Sequence, residues 1–235
     1  MRKAEVAENL NRVRERVVTS CAACGRDPGG VTLLAVSKTR PAGDLRAAYA
    51  AGQRYFGENY LQEALAKQAE LEDLDICWHF IGPLQSNKTR AVAEQFHWLH
   101  SVERLKIAQR LSAQRPADMP PLNICLQVNI DDEESKSGLA PAGIPELAAA
   151  VAGLPNLKLR GLMAIPAPRD TVEEQRRPFA QLANLLQRLR AQLPDQPLDT
   201  LSMGMSGDME VAIECGATIV RIGTDIFGRR ETKID

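Results

Sequence analysis

Lys38 is the residue of this chain whose type and position best suit covalent chemistry. It follows the apolar run at residues 32–36 after a single serine, and so stands at the end of a predicted β-strand. Burial disfavours the charged form of an amine and lowers its pKa, and a neutral lysine amine attacks carbonyl carbons. A lysine that extends from a strand end into water is the more ordinary role. The chemistry of Lys38 therefore depends on its neighbours.

Two glycine-containing segments near the end of the sequence suit a phosphate group. Residues 204–208 read Gly-Met-Ser-Gly-Asp between a predicted strand and a predicted helix, and Gly223 and Thr224 follow the next strand. Backbone N–H groups at such turns bind anions, aided here by the hydroxyl of Ser206. Each loop alone is equally typical of ordinary loop glycines. Ser206 does not fit a Gly-x-Ser-x-Gly nucleophile motif, because Asp208 stands where that motif requires glycine.

Arg221 lies inside an apolar strand, between Val220 and Ile222. The period of two along a strand points its side chain to the opposite face from both neighbours. A buried guanidinium needs a partner, which is a carboxylate such as Glu58 or Asp225 in a structural role, or else a ligand nitrogen. An amine, a phosphate site and an interior guanidinium together match the aldehyde, phosphate and ring nitrogen of pyridoxal 5′-phosphate (PLP).

The elements that must position these residues alternate along the chain. Apolar side chains at steps of three and four predict a leading amphipathic helix over about residues 4–24, which a segment rich in glycine and proline ends. Eight apolar runs typical of strands follow, at residues 32–36, 54–57, 76–82, 96–101, 123–130, 158–165, 200–204 and 218–223. Helical patterns follow or separate them, at residues 41–51, 60–71, 88–95, 102–114, 144–152, 171–193 and 208–215.

This alternation predicts an α/β fold, a (β/α)8 TIM barrel with an extra N-terminal helix. Each unit takes about 26 residues, the size of a strand, a helix and two short loops. A doubly wound open sheet is the alternative, since alternation alone does not establish closure. No linker divides the chain, so we expect one domain over residues 1–235. In a barrel, functional residues gather at the carboxyl ends of the strands.

Composition and charge exclude several functional classes. The 29 basic and 30 acidic residues are interleaved, so no basic surface favours nucleic acid or a membrane. No apolar run approaches the roughly 18 residues that span a bilayer, and the charged N-terminus lacks a signal sequence, which predicts a cytoplasmic protein.

The cysteines and histidines do not predict a disulfide framework or a metal site. Five cysteines, an odd number, are typical of reduced thiols. Cys21 and Cys24 end a helix with no strand before them and no second ligand pair, so a redox or zinc motif is disfavoured. His97 and His100 have no Asp or Cys at ligand spacing. His79 alternates with apolar residues and is typical of a core histidine.

Six segments together resemble the pyridoxal phosphate homeostasis protein family. They are residues 35–39 (AVSKT), 56–63 (FGENYLQE), 78–88 (WHFIGPLQSNK), 161–165 (GLMAI), 201–208 (LSMGMSGD) and 221–228 (RIGTDIFG). Their order and spacing match over nearly the whole chain. The resemblance implies a barrel similar to the N-terminal domain of alanine racemase, which is the fold-type III class of PLP proteins.

The resemblance also implies roles for individual residues. It places the cofactor in a Schiff base on Lys38, with phosphate contacts at Ser206, Gly223 and Thr224. Arg221 is expected near the pyridine nitrogen. The strand-end residues Asn59 and Met163 are expected to line the mouth around the ring. Lys136, in a loop after a strand, is a possible second lysine that touches free cofactor.

These residues favour a PLP carrier or buffer over a committed catalyst. A ring nitrogen that faces a guanidinium stays unprotonated, which weakens the ring as an electron sink, and Lys38 is the one strong candidate base. A low-activity amino-acid racemase is the first alternative, a lysine-dependent aldolase on sugar phosphates the second, and a protein-interaction module the third. Expected partners are PLP, amino acids or apo-enzymes that use PLP, and the chain is expected to be a monomer.

Overall fold

The computed structural model describes residues 2–133 and 137–229. Helix α1 (Arg2–Ala23) leads the chain. Its apolar residues at the predicted steps are buried, among them Leu10, Val13 and Cys21. Gly25, with a φ of 70°, follows the end of the helix, where a left-handed backbone is favourable for glycine. The prediction of a leading amphipathic helix is therefore confirmed.

Eight parallel strands close into one barrel in sequence order, which excludes the open sheet. The strands are β1 (Thr32–Val36), β2 (Tyr55–Glu58), β3 (Cys77–Phe80), β4 (Trp98–Val102), β5 (Leu122–Gln127), β6 (Leu157–Met163), β7 (Thr200–Ser202) and β8 (Ile219–Ile222). Closure comes from the pairing of β1 with β8, in which Ala35 lies opposite Ile222. The ends of the first and last strands are therefore neighbours.

Helices cover the outside of the barrel. They are α2 (Ala42–Ala50), α3 (Leu61–Glu70), α4 (Thr89–Gln95), α5 (Leu105–Gln114), α6 (Ile144–Ala152), α7 (Val172–Gln192), α8 (Met209–Glu214) and α9 (Thr224–Phe227). The sequence prediction began α5 at Val102, which is wrong because Val102 continues β4 and pairs with Leu126. The short helix α9 has no counterpart in the prediction.

The strands alternate between an outer and an inner face. Outward side chains such as Phe56, Leu99 and Val220 join the apolar layer under the helices. A smaller apolar cluster of Leu34, Ile81 and Ile219 fills part of the interior. Polar side chains occupy other interior positions, and they include Arg221 on β8, as the alternation predicted.

All five cysteines are free thiols. Cys21 is buried on α1, and the thiol of Cys24 donates to the carbonyl of Ser20 at 3.2 Å, as expected for structural cysteines. Within the described ranges, no group of three or more His, Cys, Asp or Glu residues is arranged to hold a metal ion. No helix in those ranges combines the length and apolar character that a membrane crossing requires.

Candidate functional site

Lys38 lies in a tight turn that follows β1 at the carboxyl end of the barrel. The next residue, Thr39, has a φ of 64°, an uncommon conformation for a residue with a β-branched side chain. The turn is adjacent to the end of β8, because β1 and β8 pair up to Ala35 and Ile222. The strand pairing therefore brings Lys38 beside the Gly223–Thr224 segment.

Helix α3 holds the backbone on both sides of Lys38. The ammonium of Lys67 donates to the carbonyl oxygen of Ser37 at 2.7 Å. The N–H of Thr39 donates to Oε1 of Glu63 at 2.5 Å, and Lys67 and Glu63 are themselves paired at 2.5 Å. These two contacts fix the residue before and the residue after Lys38.

A buried carboxylate completes this support. Glu58, at the end of β2, is fully buried and accepts from Lys67 at 2.7 Å and from the hydroxyl of Ser37 at 2.6 Å. Burial raises the pKa of Glu58, while Lys67 and Ser37 oppose the shift. Lys67 is 4% exposed. Glu58 therefore pairs with Lys67 and not with Arg221, which removes one of the two expected carboxylate partners of that arginine.

The two predicted phosphate loops carry unpaired backbone donors. The N–H groups of Ser206, Gly207, Gly223 and Thr224 donate to no acceptor in the described part of the chain. Asp208 shapes the first loop, because its Oδ1 accepts from the N–H of Met205 at 2.6 Å. Two short loops that present four free N–H groups are the kind of backbone site that binds phosphate.

Arg16 of α1 joins the two loops. Its Nη2 donates to the carbonyl of Ser206 at 3.2 Å, and its Nη1 to Oδ2 of Asp225 at 2.6 Å. Its Nε donates to Glu210 of α8 at 2.9 Å. Because one planar guanidinium reaches both segments, they lie within a few ångströms of each other. Asp225 is thereby paired with Arg16, which removes the second expected carboxylate partner of Arg221.

Arg221 is buried inside the barrel, with 4% of its surface exposed. It donates from Nη1 to the hydroxyl of Ser202 at 2.8 Å and from Nη2 to the carbonyl of Ala164 at 2.9 Å. Burial lowers its pKa to about 10, with Asp208 opposing the shift, so the guanidinium stays charged at neutral pH. Within the described residues it forms no ion pair, and its Nε donates to no acceptor. A buried cation of this kind favours a ligand acceptor.

Asn59 and Met163 occupy the ends of two other strands. Asn59 directly follows β2, and its side-chain oxygen is buried without a hydrogen-bond partner among the described residues. It lines a cavity of about 350 Å³ at the mouth of the barrel, together with Ile81, Gln127 and Met205. Met163 ends β6 and is fully buried.

The donors and acceptors of this end of the barrel fit one kind of ligand. Lys38 supplies an amine for a carbonyl, the four N–H groups suit a phosphate, and Arg221 suits a ring nitrogen that accepts a hydrogen bond. The unpartnered oxygen of Asn59 suits a hydroxyl donor. PLP carries all four groups, so the residues present fit this cofactor.

A second cavity, of about 450 Å³, lies at the opposite end, where β1 and β2 begin. Arg14 and Gln53 line it and are already bonded, since Arg14 donates to the carbonyl of Ala51 at 2.7 Å and Gln53 donates to that of Leu33 at 2.8 Å. The amino ends of barrel strands serve stability in known TIM barrels. This cavity lies away from the residues that suit PLP.

The sequence prediction missed three residues that support the site. Arg16 and Lys67 lay within predicted helices with no role of their own, and Glu63 counted only as the last residue of the segment 56–63. The spacing of Glu63 and Lys67, four apart on one helix, is the one sequence signal that could have marked them as a pair. The predicted Lys136 lies outside the described residues.

Comparison with known proteins gives consistent matches over nearly the whole length. The family described as alanine racemase, N-terminal domain, matches residues 3–231. A pyridoxal phosphate homeostasis protein from Pseudomonas aeruginosa is 62% identical over 226 residues, which are 96% of each chain. A protein of the same name from Escherichia coli K12 is 54% identical over 230 residues, which are 97% of each chain.

Solved structures agree with the architecture. PipY from Synechococcus elongatus, solved with PLP bound, has a TM-score of 0.83 and 41% identity, covering 95% of this chain and 100% of that chain. Alanine racemase from Corynebacterium glutamicum has a TM-score of 0.73 and 18% identity, covering 97% of this chain and 62% of the racemase. The racemase likeness establishes the fold alone.

Proposed function

The chain belongs to the pyridoxal phosphate homeostasis protein family, and we propose that it holds PLP as a Schiff base on Lys38. It binds PLP and takes part in the homeostasis of this cofactor. When bound, PLP supplies an aldehyde that exchanges reversibly between amines. The support for the finer assignment is the convergence of Lys38, four unpaired N–H groups and a buried guanidinium that forms no ion pair among the described residues, all at one end of the barrel.

Each side chain has a separate task in this proposal. Lys38 holds the cofactor covalently, and its turn is kept in place by α3. Ser206, Gly223 and Thr224 bind the phosphate. Arg221 donates to the ring nitrogen, and because it remains charged near neutral pH it opposes protonation of that nitrogen.

Asn59 and Met163 complete the proposed set. The unpartnered oxygen of Asn59 orients the ring hydroxyl, and Met163 closes the floor beneath the ring. The proposed site includes no metal ion.

We propose that the protein carries PLP and is not a racemase. The relatives bear the name of homeostasis proteins. The described residues that line the mouth cavity include no Asp, Glu, His, Cys, Lys or Tyr, so none of them is a candidate for the second base that a racemase needs. The absence of acidic and basic side chains among these described lining residues also disfavours a lysine-dependent aldolase, which needs an acid or base beside its lysine.

The proposed partners follow from reversible exchange. Amino acids or apo-enzymes that use PLP would accept the cofactor from Lys38, and the protein would act as a monomer. A cytoplasmic location is supported by the five free thiols, which suit a reducing compartment. Lys136 remains a proposed second contact for free cofactor.

A titration with PLP tests the proposal. We expect the wild type to develop the shifted absorption band of a protein-bound Schiff base, saturating at one equivalent, and Lys38→Ala to show only the spectrum of free PLP. Lys106→Ala is the matched control, because Lys106 lies exposed on α5. In the same preparations we expect no enantiomer of an added amino acid to accumulate at ordinary enzyme rates of about 1 per second or more. Turnover that depends on Lys38 would favour the racemase, and unaltered binding by Lys38→Ala would overturn the assignment.

A further inference from the structure

A line of buried polar side chains crosses the barrel interior from β8 to β3. Nη1 of Arg221 lies 2.8 Å from the hydroxyl of Ser202 on β7. That hydroxyl lies 2.7 Å from Nδ1 of His100 on β4, and Nε2 of His100 lies 2.9 Å from Nδ1 of His79 on β3. Nε2 of His79 lies 3.5 Å from the sulfur of Cys77.

The guanidinium and the burial of the Ser202 hydroxyl together indicate the direction of the bonds in this line. A guanidinium donates and does not accept, so the oxygen of Ser202 accepts from Arg221. The other partner of this buried hydroxyl among the described residues is Nδ1 of His100, so the hydroxyl proton has an acceptor there if Nδ1 is unprotonated. His100 consequently carries its proton on Nε2 and donates to Nδ1 of His79. His79 likewise carries its proton on Nε2 and donates to the sulfur of Cys77.

The surroundings keep both imidazoles neutral, as this one-way line requires. His79 and His100 are 1% and 0% exposed. Burial and the nearby charge of Arg221 lower the pKa of His100 to about 3, and burial lowers that of His79 well below its usual value. The Trp98 ring stacks on His79 at 5.3 Å with planes 5° apart, which holds the ring in place.

We infer that Ser202 and His100 are positioning residues for Arg221. Ser202 holds Nη1 and the carbonyl of Ala164 holds Nη2, which leaves the remaining N–H bonds of the guanidinium to the cofactor. His100 orients the Ser202 hydroxyl so that its oxygen lone pairs face the guanidinium. The inference rests on the proposed function in one respect, namely that Arg221 donates to the ring nitrogen of PLP.

The ligand-free protein provides the first test. Long-range ¹⁵N–¹H spectra distinguish histidine tautomers, and the chain has only 3 histidines to assign. We expect both His79 and His100 to be neutral at pH 7 with the proton on Nε2. A charged ring, or a proton on Nδ1 of either residue, would overturn the inference whether or not PLP binds.

Substitutions provide the second test. Ser202→Ala removes the acceptor of Nη1, and we expect about tenfold weaker PLP binding, the usual effect of losing one hydrogen bond to a charged group. With ¹⁵N-labelled PLP, we also expect the pyridine ¹⁵N shift to move relative to the wild type. Ser112→Ala is the matched control. Ser112 is buried like Ser202, with 4% of its surface exposed against 0%, and its hydroxyl donates one hydrogen bond to the carbonyl of Pro155 at 2.5 Å.

Two substitutions of His100 distinguish a role in orienting Ser202 from a role in filling space. Asparagine at position 100 retains an acceptor for the Ser202 hydroxyl, and leucine does not. We expect His100→Asn to keep the wild-type ¹⁵N shift and affinity within about twofold, and His100→Leu to resemble Ser202→Ala. Equal shifts and affinities for wild type, Ser202→Ala and His100→Leu would overturn the inference. If instead the wild type does not bind PLP, the proposed function fails. The tautomers of His79 and His100 in the ligand-free protein then decide whether the hydrogen bonds run from Arg221 to Cys77 as inferred.

Discussion

Arg221 is a buried cation that forms no ion pair among the described residues. The two carboxylates that the sequence offered as partners are engaged elsewhere, Glu58 by Lys67 and Asp225 by Arg16, and Asp208 acts on the pKa of Arg221 without an ion pair between them in the described residues. Isolated buried charge is costly, and two hydrogen bonds to neutral groups offset only part of that cost. A ring nitrogen as acceptor offsets more of it. The residue is therefore better suited to ligand binding than to stability of the ligand-free barrel.

The buried histidines predict a specific pH dependence of stability. His100 has a pKa of about 3 in the folded protein and about 6.5 when unfolded. Between these values the unfolded chain binds a proton that the folded chain does not, so stability is present above pH 6.5 and is lost as the pH falls. We expect protonation of His100 in the unfolded chain to lower the free energy of unfolding by about 2 kcal/mol as the pH falls from 6.5 to 5.

Urea denaturation of the wild type and His100→Asn at several pH values measures this effect. The difference between the two proteins removes the opposing contribution of Glu58 and Asp208, whose pKa values are raised by burial. We expect the wild type to lose stability relative to the variant as the pH falls. Parallel curves would show that His100 is not buried in its neutral form.

At the scale of elements, the N-terminal helix has a functional task as well as a packing one. Arg16 ties the Ser206 loop to Asp225 and α8. We expect Arg16→Ala to weaken PLP binding by about tenfold, because the phosphate loops lose their common anchor. Binding of pyridoxal, which has no phosphate, should change far less.

Arg12→Ala on the same helix is the control for that prediction. Arg12 is largely exposed and lies 3.7 Å from Glu8, a pair of little energetic value. Isothermal titration of each variant with PLP and with pyridoxal gives the comparison. Equal losses for the two ligands would contradict a role of Arg16 at the phosphate loops.

Helix α3 supports the lysine turn through a buried ion pair. Lys67→Met leaves the carboxylate of Glu58 buried without its cation, and we expect it to lower the unfolding free energy by about 3–5 kcal/mol. The double variant Glu58→Gln/Lys67→Met should recover much of this loss, since no unpaired charge remains.

Guanidinium denaturation provides the measurement for this cluster. Lys106→Met, at an exposed position of α5, controls for the loss of a lysine. A double variant as unstable as Lys67→Met would indicate that Lys67 acts through its contact with Ser37 and not through Glu58.

At the scale of the molecule, the fold was predictable because its signals are local. Each strand is a short apolar run and each helix is a periodic one, so the count of eight units emerged from the sequence, and β1 was predicted with the bounds that it has. The start of α5 was misplaced because Val102 and Leu105 fit either pattern. Helix α9 was missed because four residues are too few for a periodic signal.

The supporting contacts of the site could not be predicted in the same way. Arg16 contacts residues about 190 or more positions later in the chain, and Ser202 contacts His100 across 102 positions. Such pairs form only when the barrel closes, and nothing in the local sequence around either residue specifies the other. The site residues at strand ends could be predicted from the sequence, because a barrel gathers the carboxyl ends of its strands at one face.

The central claim is that PLP is held covalently by Lys38, and one measurement tests it directly. The protein is loaded with PLP, reduced with borohydride and digested, and the modified lysine is identified by mass spectrometry. We predict a pyridoxyl group on Lys38, and no modification of the neighbouring buried Lys67, which is held by Glu58 and Glu63. Labelling of other lysines with Lys38 unmodified, or a loaded protein that takes no label, would contradict the account.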